Sequence, residues 1–187
     1  MRVLLSVFVS LSFAMAHAEA SSPGCAKAAA PPPTHFVVAG TQREAIVVLP
    51  SPYQRDRRYP LVVAFHGRTN TNAQARDYFG LEATASPPVI FVYPAGLRDA
   101  LGQFTWSDPG DQPGALRDFA LFDTIVCDLA ERFCVDLDAV FVVGHSLGAS
   151  FANSLACARG RIARYYPHQW PAGAGPVIIR FFHGLAD

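Results

Sequence analysis

Apolar runs of strand length recur along the chain from residue 35 onward. The first two runs are close together and predict an antiparallel pair that opens the domain. The later runs are rich in Val, Ile and Phe and are bounded by Pro or Gly, which is typical of buried strands. In chain order the runs are HFVVAG, REAIVVLP, YPLVVAFHG, PPVIFVYP, DAVFVVGH and GPVIIRFFHG.

Helical periodicity appears between the later strands. A second helix is predicted from Leu147 to Ala158, directly after the fifth run. Strands that alternate with helices predict a mostly parallel sheet with helices on both faces, which is the α/β class. The other predicted helix comes before the fifth run. Its apolar residues recur at three- and four-residue steps and form one face: Phe119, Phe122, Val126, Leu129 and Phe133.

Composition narrows the function classes. The chain has 187 residues, 51% of them hydrophobic, which is enough for one domain with a sizeable core. Its 15 basic and 15 acidic residues cancel, and no basic patch stands out. Nucleic acid and anionic membrane are therefore poor candidates as partners.

The beginning of the chain has the pattern of an export signal. Arg2 precedes an apolar run that ends in the small residues around Ala18 and Ala20. We expect a signal peptide over 1–20, since the run is short for a bilayer span of about 20 residues. An extended Ala- and Pro-rich linker is expected over 21–34, followed by the domain over 35–187. The protein is then secreted, to the exterior or the periplasm, with no membrane attachment after cleavage.

Four cysteines are present, which are Cys25, Cys127, Cys134 and Cys157. In an oxidising compartment an even number indicates two disulfides, with three possible pairings. Buried free thiols are the alternative. The chain has no Cys-x-x-Cys pair and no Cys/His cluster, so we expect no metal site.

A candidate nucleophile lies in VFVVGHSLGAS, where Gly144-x-Ser146-x-Gly148 joins a predicted strand to a predicted helix. Small neighbours at such a turn let the strand and helix approach closely and lift the serine Oγ above the sheet. The backbone N–H of Leu147 is then expected to donate to the oxyanion of a tetrahedral intermediate. An ordinary glycine-rich turn is the alternative.

A second oxyanion donor is expected in the loop after an earlier strand. The strand over 61–65 ends at His66-Gly67, and the backbone amide of Arg68 is the best-placed donor. We expect His66 to shape this loop while the backbone performs the chemistry.

Several motifs together resemble the secreted feruloyl esterase and poly(3-hydroxybutyrate) depolymerase family of α/β-hydrolases. The resemblance covers residues 60–159 and the last dozen residues. It implies an α/β-hydrolase fold and hydrolysis of carboxylic esters through an acyl-serine, with a triad in the order Ser, Asp, His and no metal or organic cofactor. The motifs are YPLVVAFHGRTN, VIFVYPAG, WSD from residue 106, FCVDLDAVFVVGHSLGASFANSLAC and FFHGLAD.

The resemblance assigns roles to single residues. Ser146 matches the nucleophile, and Asp187 in HGLAD matches the acid that orients the catalytic histidine. Trp106, together with His66 and His145, is expected to shape the substrate site. For Trp106 the alternative is a residue of the hydrophobic core.

The family's catalytic histidine follows the acid, whereas this sequence stops at Asp187. We therefore expect the fold to be truncated after the acid-bearing strand. His168 is the remaining candidate base, but it precedes the acid and lies in a segment, 164–171, without a strand pattern. One hypothesis is a compensated frameshift within 160–172, since shifted GC-rich codons would restore the apolar strand GIIPISGP.

The fold implied by the resemblance also favours one disulfide. Cys134 precedes the strand of Ser146 at the lower edge of the sheet. The next helix descends about 1.5 Å per residue and returns to that edge near Cys157. We expect Cys134–Cys157, with Cys25–Cys127 as the weaker remaining pair.

These expectations combine into a secreted, monomeric ester hydrolase. Its substrates are expected to be feruloyl or acetyl esters of plant cell-wall polysaccharide, with a polyester such as polyhydroxybutyrate as second choice. The rival interpretation is an inactive esterase fragment or pseudo-enzyme that lacks the catalytic histidine.

Overall fold

The computed structural model describes residues 22–107, 117–159 and 162–166. The expected signal peptide, His168 and Asp187 lie outside these residues. The strands are β1 His35–Val38, β2 Thr41–Val48, β3 Tyr59–Phe65, β4 Ile90–Pro94, β5 Leu97–Arg98, β6 Phe104–Thr105, β7 Val135–His145 and β8 Ile162–Tyr166. The helices are α1 Asn72–Phe79, α2 Arg117–Arg132 and α3 Leu147–Arg159, with a short 3-10 helix over Leu81–Thr84.

Six strands form one sheet in the order β1-β2-β4-β3-β7-β8. The pairs β1–β2 and β2–β4 are antiparallel, as the opening pair was expected to be. The pairs β3–β4, β3–β7 and β7–β8 are parallel. The predicted mixed, mostly parallel sheet is confirmed.

Alternate side chains of each buried strand point to opposite faces of the sheet, so both faces are apolar. Helices pack on both faces and bury them. In β3, Leu61, Val63 and Phe65 pack with α2 and α3, whereas Val62 and Ala64 pack with α1. Each face therefore has its own hydrophobic core, and the strand ends that carry Gly67 and Ser146 lie between two fixed layers.

The helical periodicity predicted α2 correctly. Four of its five predicted apolar residues are buried, and Val126 is partly buried against the same core. Helix α3 was predicted to within one residue of its observed end.

Helix α1 and strand β8 were not predicted. Helix α1 is short and polar, but it begins with a capping box in which Thr71 accepts from Gln74 N and the Gln74 side chain accepts from Thr71 N. The spacing Thr-x-x-Gln was the available signal. Residues 162–166 form a strand parallel to β7, so the expectation that 164–171 has no strand is wrong for 164–166.

The residues before the Ala/Pro run are attached to the domain. Ser22 is buried, and its Oγ donates to Phe133 O at 2.7 Å and accepts from Val135 N at 2.8 Å. Gly24 N donates to Ala130 O at 2.7 Å, at the end of α2. Residues 28–33, in contrast, form no helix or strand and are mostly exposed. The segment expected as a linker is thus anchored at its beginning.

The predicted disulfide pairing is wrong. The structure contains Cys25–Cys134, with the two Cα atoms 4.0 Å apart, and leaves Cys127 and Cys157 as free, exposed thiols. The prediction failed because it treated the residues around Cys25 as a free linker. Their backbone hydrogen bonds instead place Cys25 beside the α2–β7 junction, where Cys134 is buried.

Candidate active site

Ser146 occupies the sharp turn between β7 and α3. Its φ is +52°, in the left-handed region that residues other than glycine rarely adopt. Its carbonyl accepts from Ala149 N at 2.9 Å and from Ser150 N at 3.1 Å, which begins the helix at once. Strained backbone of this kind is found where a serine is presented above an α/β sheet.

The two glycines of the motif are required by close approach. A Cβ on Gly144 would overlap the carbonyl of Gly148, the second residue of α3. A Cβ on Gly148 would overlap the carbonyls of Phe65 and His66 at the end of β3. The turn with Ser146 is therefore pressed directly against the loop in which the oxyanion donor is predicted.

His66 holds that loop in place. Its ring is 1% exposed, and Nε2 accepts from Gly96 N at 2.9 Å. Nδ1 is then the protonated nitrogen, and it donates to Gly67 O at 2.8 Å. Burial lowers the pKa of His66, so the ring is neutral at physiological pH. Because both nitrogens are engaged, His66 shapes the loop and is not available as a general base.

Trp106 is part of the hydrophobic core, and its role in the substrate site stays a prediction. It is 4% exposed, and its ring stacks on Phe151 of α3 at 5.4 Å with an interplanar angle of 9°. Its Nε1 donates to His66 O at 2.8 Å. Trp106 thus packs beneath the loop of His66 and supports its backbone.

A buried ion pair lies behind the same loop and was not foreseen. Arg43 of β2 donates to Asp118 Oδ1 of α2 at 2.6 Å, with both side chains at most 1% exposed. Asp118 Oδ2 accepts from Ser107 N at 2.6 Å and Ser107 Oγ at 2.9 Å, and Arg43 Nη2 also donates to Ala95 O at 3.1 Å. A single Arg and a single Asp, 75 positions apart, gave no sequence signal for this pair.

The two predicted oxyanion donors lie on different segments, since Leu147 directly follows Ser146 and Arg68 belongs to the loop after β3. Arg68 follows the buried Gly67 and is itself exposed, with Nη1 3.1 Å from Asp99 Oδ2. Leu147 is the first residue of α3. That their backbone amides bind an oxyanion remains a prediction.

A cavity of about 210 Å³ adjoins the turn on the α1 side of the sheet. His145, which directly precedes Ser146, is part of its wall, and its Nε2 is buried without a hydrogen-bond partner among the described residues. Trp106 is not part of the wall. The cavity is lined by His66, Gly67, Asn70, Gln74, Ala75, Tyr78, Phe79 and His145.

Three histidines, His35, His66 and His145, lie in the described ranges, and the identity of the catalytic base stays a prediction. His66 is fully hydrogen-bonded, and His35 lies on β1, separated from β7 by three strands. His145 packs against the ring of Tyr78 at 5.0 Å. The candidate acid Asp187 and the candidate base His168 are not among the residues described.

Within 22–107, 117–159 and 162–166, no group of three His, Cys, Asp or Glu side chains is arranged to hold a metal ion. In the same ranges, no helix combines the length and apolar character needed to cross a bilayer.

Comparison with known proteins identifies the family. The family model described as "Putative esterase" matches residues 37–166. The chain is 32% identical to a probable feruloyl esterase C of Aspergillus terreus over 96% of this chain and 67% of the relative. It is 30% identical to feruloyl esterase C of Emericella nidulans over 90% of this chain and 63% of that protein.

The fold has solved counterparts as well. An S-formylglutathione hydrolase from Agrobacterium tumefaciens superposes with a TM-score of 0.55 at 17% identity, over 70% of this chain and 53% of the other. At that identity the likeness shows the α/β-hydrolase fold alone. The chain spans about two thirds of the length of the curated relatives it matches. From the matched model and these relatives, the chain belongs to the esterase family that includes feruloyl esterase C.

Proposed function

We propose that this protein is a secreted carboxylic ester hydrolase that acts through an acyl-Ser146 intermediate on feruloyl esters. The observation that carries the proposal is the left-handed backbone of Ser146, at φ +52° between a buried parallel strand and a helix N-terminus. Two relatives named feruloyl esterase C support the choice of ester.

The proposed reaction has two halves. A histidine accepts the proton of Ser146 Oγ while that oxygen attacks the ester carbonyl, and the amides of Leu147 and Arg68 hold the resulting oxyanion. The C–O bond to the alcohol breaks as the alcohol takes the proton. Water then adds to the acyl-serine, which releases the carboxylic acid and restores the hydroxyl. Asp187 is proposed to orient the histidine, as in the family.

Secretion is part of the proposal. The Cys25–Cys134 disulfide is typical of proteins that fold in an oxidising compartment. The apolar run over residues 3–16 has the pattern of a signal peptide. Both observations favour export through the cell membrane.

The test is hydrolysis of p-nitrophenyl acetate and methyl ferulate by the purified full chain and by Ser146→Ala. We expect both activities to fall to background in Ser146→Ala, a loss of at least about 1,000-fold. A fluorophosphonate probe should label the unmodified chain and leave Ser146→Ala unlabelled.

Ser150→Ala is the matched control, because Ser150 lies one turn further along α3 and is exposed. It should retain full activity and full labelling. Equal rates in the unmodified chain and in Ser146→Ala would contradict the proposal and favour a pseudo-enzyme. Activity lost in His168→Ala as well would identify His168 as the base.

A further inference from the structure

The segment 96–106 is attached at both ends to His66. At its beginning, Gly96 N donates to His66 Nε2 at 2.9 Å, and at its end, Trp106 Nε1 donates to His66 O at 2.8 Å. Between these two points the chain forms the antiparallel hairpin of β5 and β6. The ring of Phe104 in β6 also lies 5.4 Å from the ring of His66. The hairpin therefore has a fixed position relative to the loop after β3.

Asp99 lies in the turn of this hairpin, and its two carboxylate oxygens have different partners. Oδ1 accepts from Leu101 N at 2.9 Å and from Gln103 N at 3.0 Å, which fixes the turn. Oδ2 accepts from Arg68 Nη1 at 3.1 Å. Since Arg68 belongs to the loop after β3, 31 positions earlier, Asp99 joins the hairpin to that loop.

The loop after β3 is strained directly beside Arg68. Thr69 has φ +72°, in the left-handed region, which is unfavourable for a β-branched residue. Such a conformation persists only where the surrounding structure holds it. Within the loop, Asn70 N donates to Gly67 O at 3.2 Å, at the long end of the range for this bond. The backbone at positions 68 and 69 therefore depends on contacts made outside the loop.

The ion pair between Arg68 and Asp99 is partly open to solvent, with side chains 49% and 25% exposed. Pairs of this kind contribute little to the stability of a whole protein. Its effect is therefore local, on the Arg68 side chain and on the backbone that carries it. Helix α2 offers a matched pair away from the loop, Arg132–Asp128, with side chains 46% and 31% exposed.

We propose that Asp99 is a positioning residue for ester hydrolysis: through its ion pair with Arg68 it holds the strained backbone at Thr69, so that the amide of residue 68 faces the oxyanion. The inference rests on the proposed function for the reaction and for the role of that amide. It adds a residue outside the loop that sets the rate without touching the substrate.

The first test is Asp99→Asn. Asparagine keeps the Oδ1 acceptor of the turn but replaces Oδ2 with an NH2 group, which cannot accept from Arg68. With p-nitrophenyl acetate we expect kcat to fall about 10- to 100-fold, as for a displaced oxyanion donor. KM should change less than about 2-fold, because no contact with the bound ester is lost.

Asp128→Asn is the matched control, and it should leave kcat and KM within about 2-fold of the unmodified protein. Urea denaturation of both variants should match the unmodified protein, which separates a slower reaction from a loss of folding. A kcat of Asp99→Asn within about 2-fold of the unmodified value would overturn the proposal. A higher KM with an unchanged kcat would also overturn it, because Asp99 would then act in substrate binding.

Thr69→Gly tests the role of the strain. Glycine adopts the left-handed conformation without steric cost, so the loop should then need less support from Asp99. We expect the loss of kcat caused by Asp99→Asn to be at least about 3-fold smaller in the Thr69→Gly background. Equal losses in the two backgrounds would overturn the link between Asp99 and the strained loop.

Hydrogen exchange of the backbone amides over residues 66–70 separates this inference from the proposed function, because it needs no turnover. We expect these amides to exchange at least about 10-fold faster in Asp99→Asn and at an unchanged rate in Asp128→Asn. If the unmodified chain hydrolyses no ester, the proposed function fails, and faster exchange still supports the hold of Asp99 on the loop. If the chain is active but neither exchange nor kcat changes in Asp99→Asn, the proposed function stands and this inference fails.

Discussion

At the scale of single residues, the candidate site depends on two glycines that have no side chain to contribute. Gly144 and Gly148 allow β7, α3 and the end of β3 to touch through their backbones. Ser146 retains its strained φ because these contacts fix the chain on both sides. We therefore expect a side chain at either glycine to lower stability, although neither glycine is proposed to take part in the reaction.

The first prediction concerns Gly148→Ala. One methyl group would overlap the carbonyls of Phe65 and His66, so α3 has to move away from β3. We expect the free energy of unfolding to fall by about 1–3 kcal/mol, as for other overpacked sites. Urea denaturation measures this change, and we expect esterase activity to fall by at least about 100-fold.

Gly102→Ala separates steric overlap from backbone preference. Gly102 has φ +74° but open space around the position of a Cβ. We expect a loss of only about 1 kcal/mol there, with activity unchanged. If Gly148→Ala were as mild as Gly102→Ala in both respects, the close approach at the turn would not matter to the site.

The sequence predicted the strand–turn–helix context of Ser146, but it did not predict the contacts that support this turn. Ser146 was recognisable because strand, turn and helix are contiguous, and its backbone conformation confirms that context. The roles of Trp106 and His66 depend on contacts between residues 40 positions apart. Spacing along the chain does not determine such contacts, so the stacking of Trp106 on Phe151 could not be predicted.

At the scale of elements, one ion pair connects three parts of the structure. Arg43 of β2 and Asp118 of α2 pair in the core, and Asp118 also holds the loop that contains Ser107. Trp106, adjacent to Ser107, supports the carbonyl of His66. The pair therefore links the outer part of the sheet and α2 to the loop of His66 and Gly67.

The second prediction concerns Asp118→Ala. This substitution leaves the Arg43 charge buried without a partner and removes the acceptor of Ser107 N. We expect the free energy of unfolding to fall by about 3–5 kcal/mol. Replacing both partners, as Arg43→Met with Asp118→Leu, should recover at least about half of that loss, as measured by urea denaturation.

The surface pair Arg132–Asp128 provides the comparison, because both side chains are partly exposed. Asp128→Ala should cost at most about 1 kcal/mol. A double variant no more stable than Asp118→Ala would show that the hydrogen bonds to Ser107, and not the unpaired charge, dominate the cost.

The elements themselves were predictable to the extent that they were apolar. Buried strands and α2 followed from runs and periodicity. Helix α1 was not predicted because its buried residues do not form an apolar pattern. They are Asn72, Ala75 and Phe79, of which one is polar and one is small. Its capping box and its packing on the sheet hold this helix in place. Neither feature gives a hydrophobic periodicity that the sequence would reveal.

At the scale of the whole molecule, the disulfide connects the segment before β1 to the beginning of β7. Cys25 and Cys134 are 109 positions apart, so their bond joins the start of the domain to the strand that carries Ser146. The hydrogen bonds of Ser22 and Gly24 place this segment against the end of α2. The covalent bond and the hydrogen bonds hold the same junction.

The third prediction concerns this disulfide. Cys25→Ser with Cys134→Ser should lower the free energy of unfolding by about 2–4 kcal/mol, since closing a long loop restricts the unfolded chain. Cys127→Ser with Cys157→Ser is the matched control and should be neutral, because both thiols are free and exposed. Urea denaturation of the three proteins makes the comparison, and equal losses would contradict the observed pairing.

The same bond also has a consequence for biosynthesis. As the chain emerges from the ribosome, Cys25 is available long before its partner, and Cys127 is exposed seven residues earlier than Cys134. A Cys25–Cys127 link formed at that stage would have to be exchanged for Cys25–Cys134 through a mixed disulfide. We expect cells that make this protein to depend on a thiol isomerase, and we expect Cys127→Ser to increase the yield of correctly bonded product where that helper is scarce.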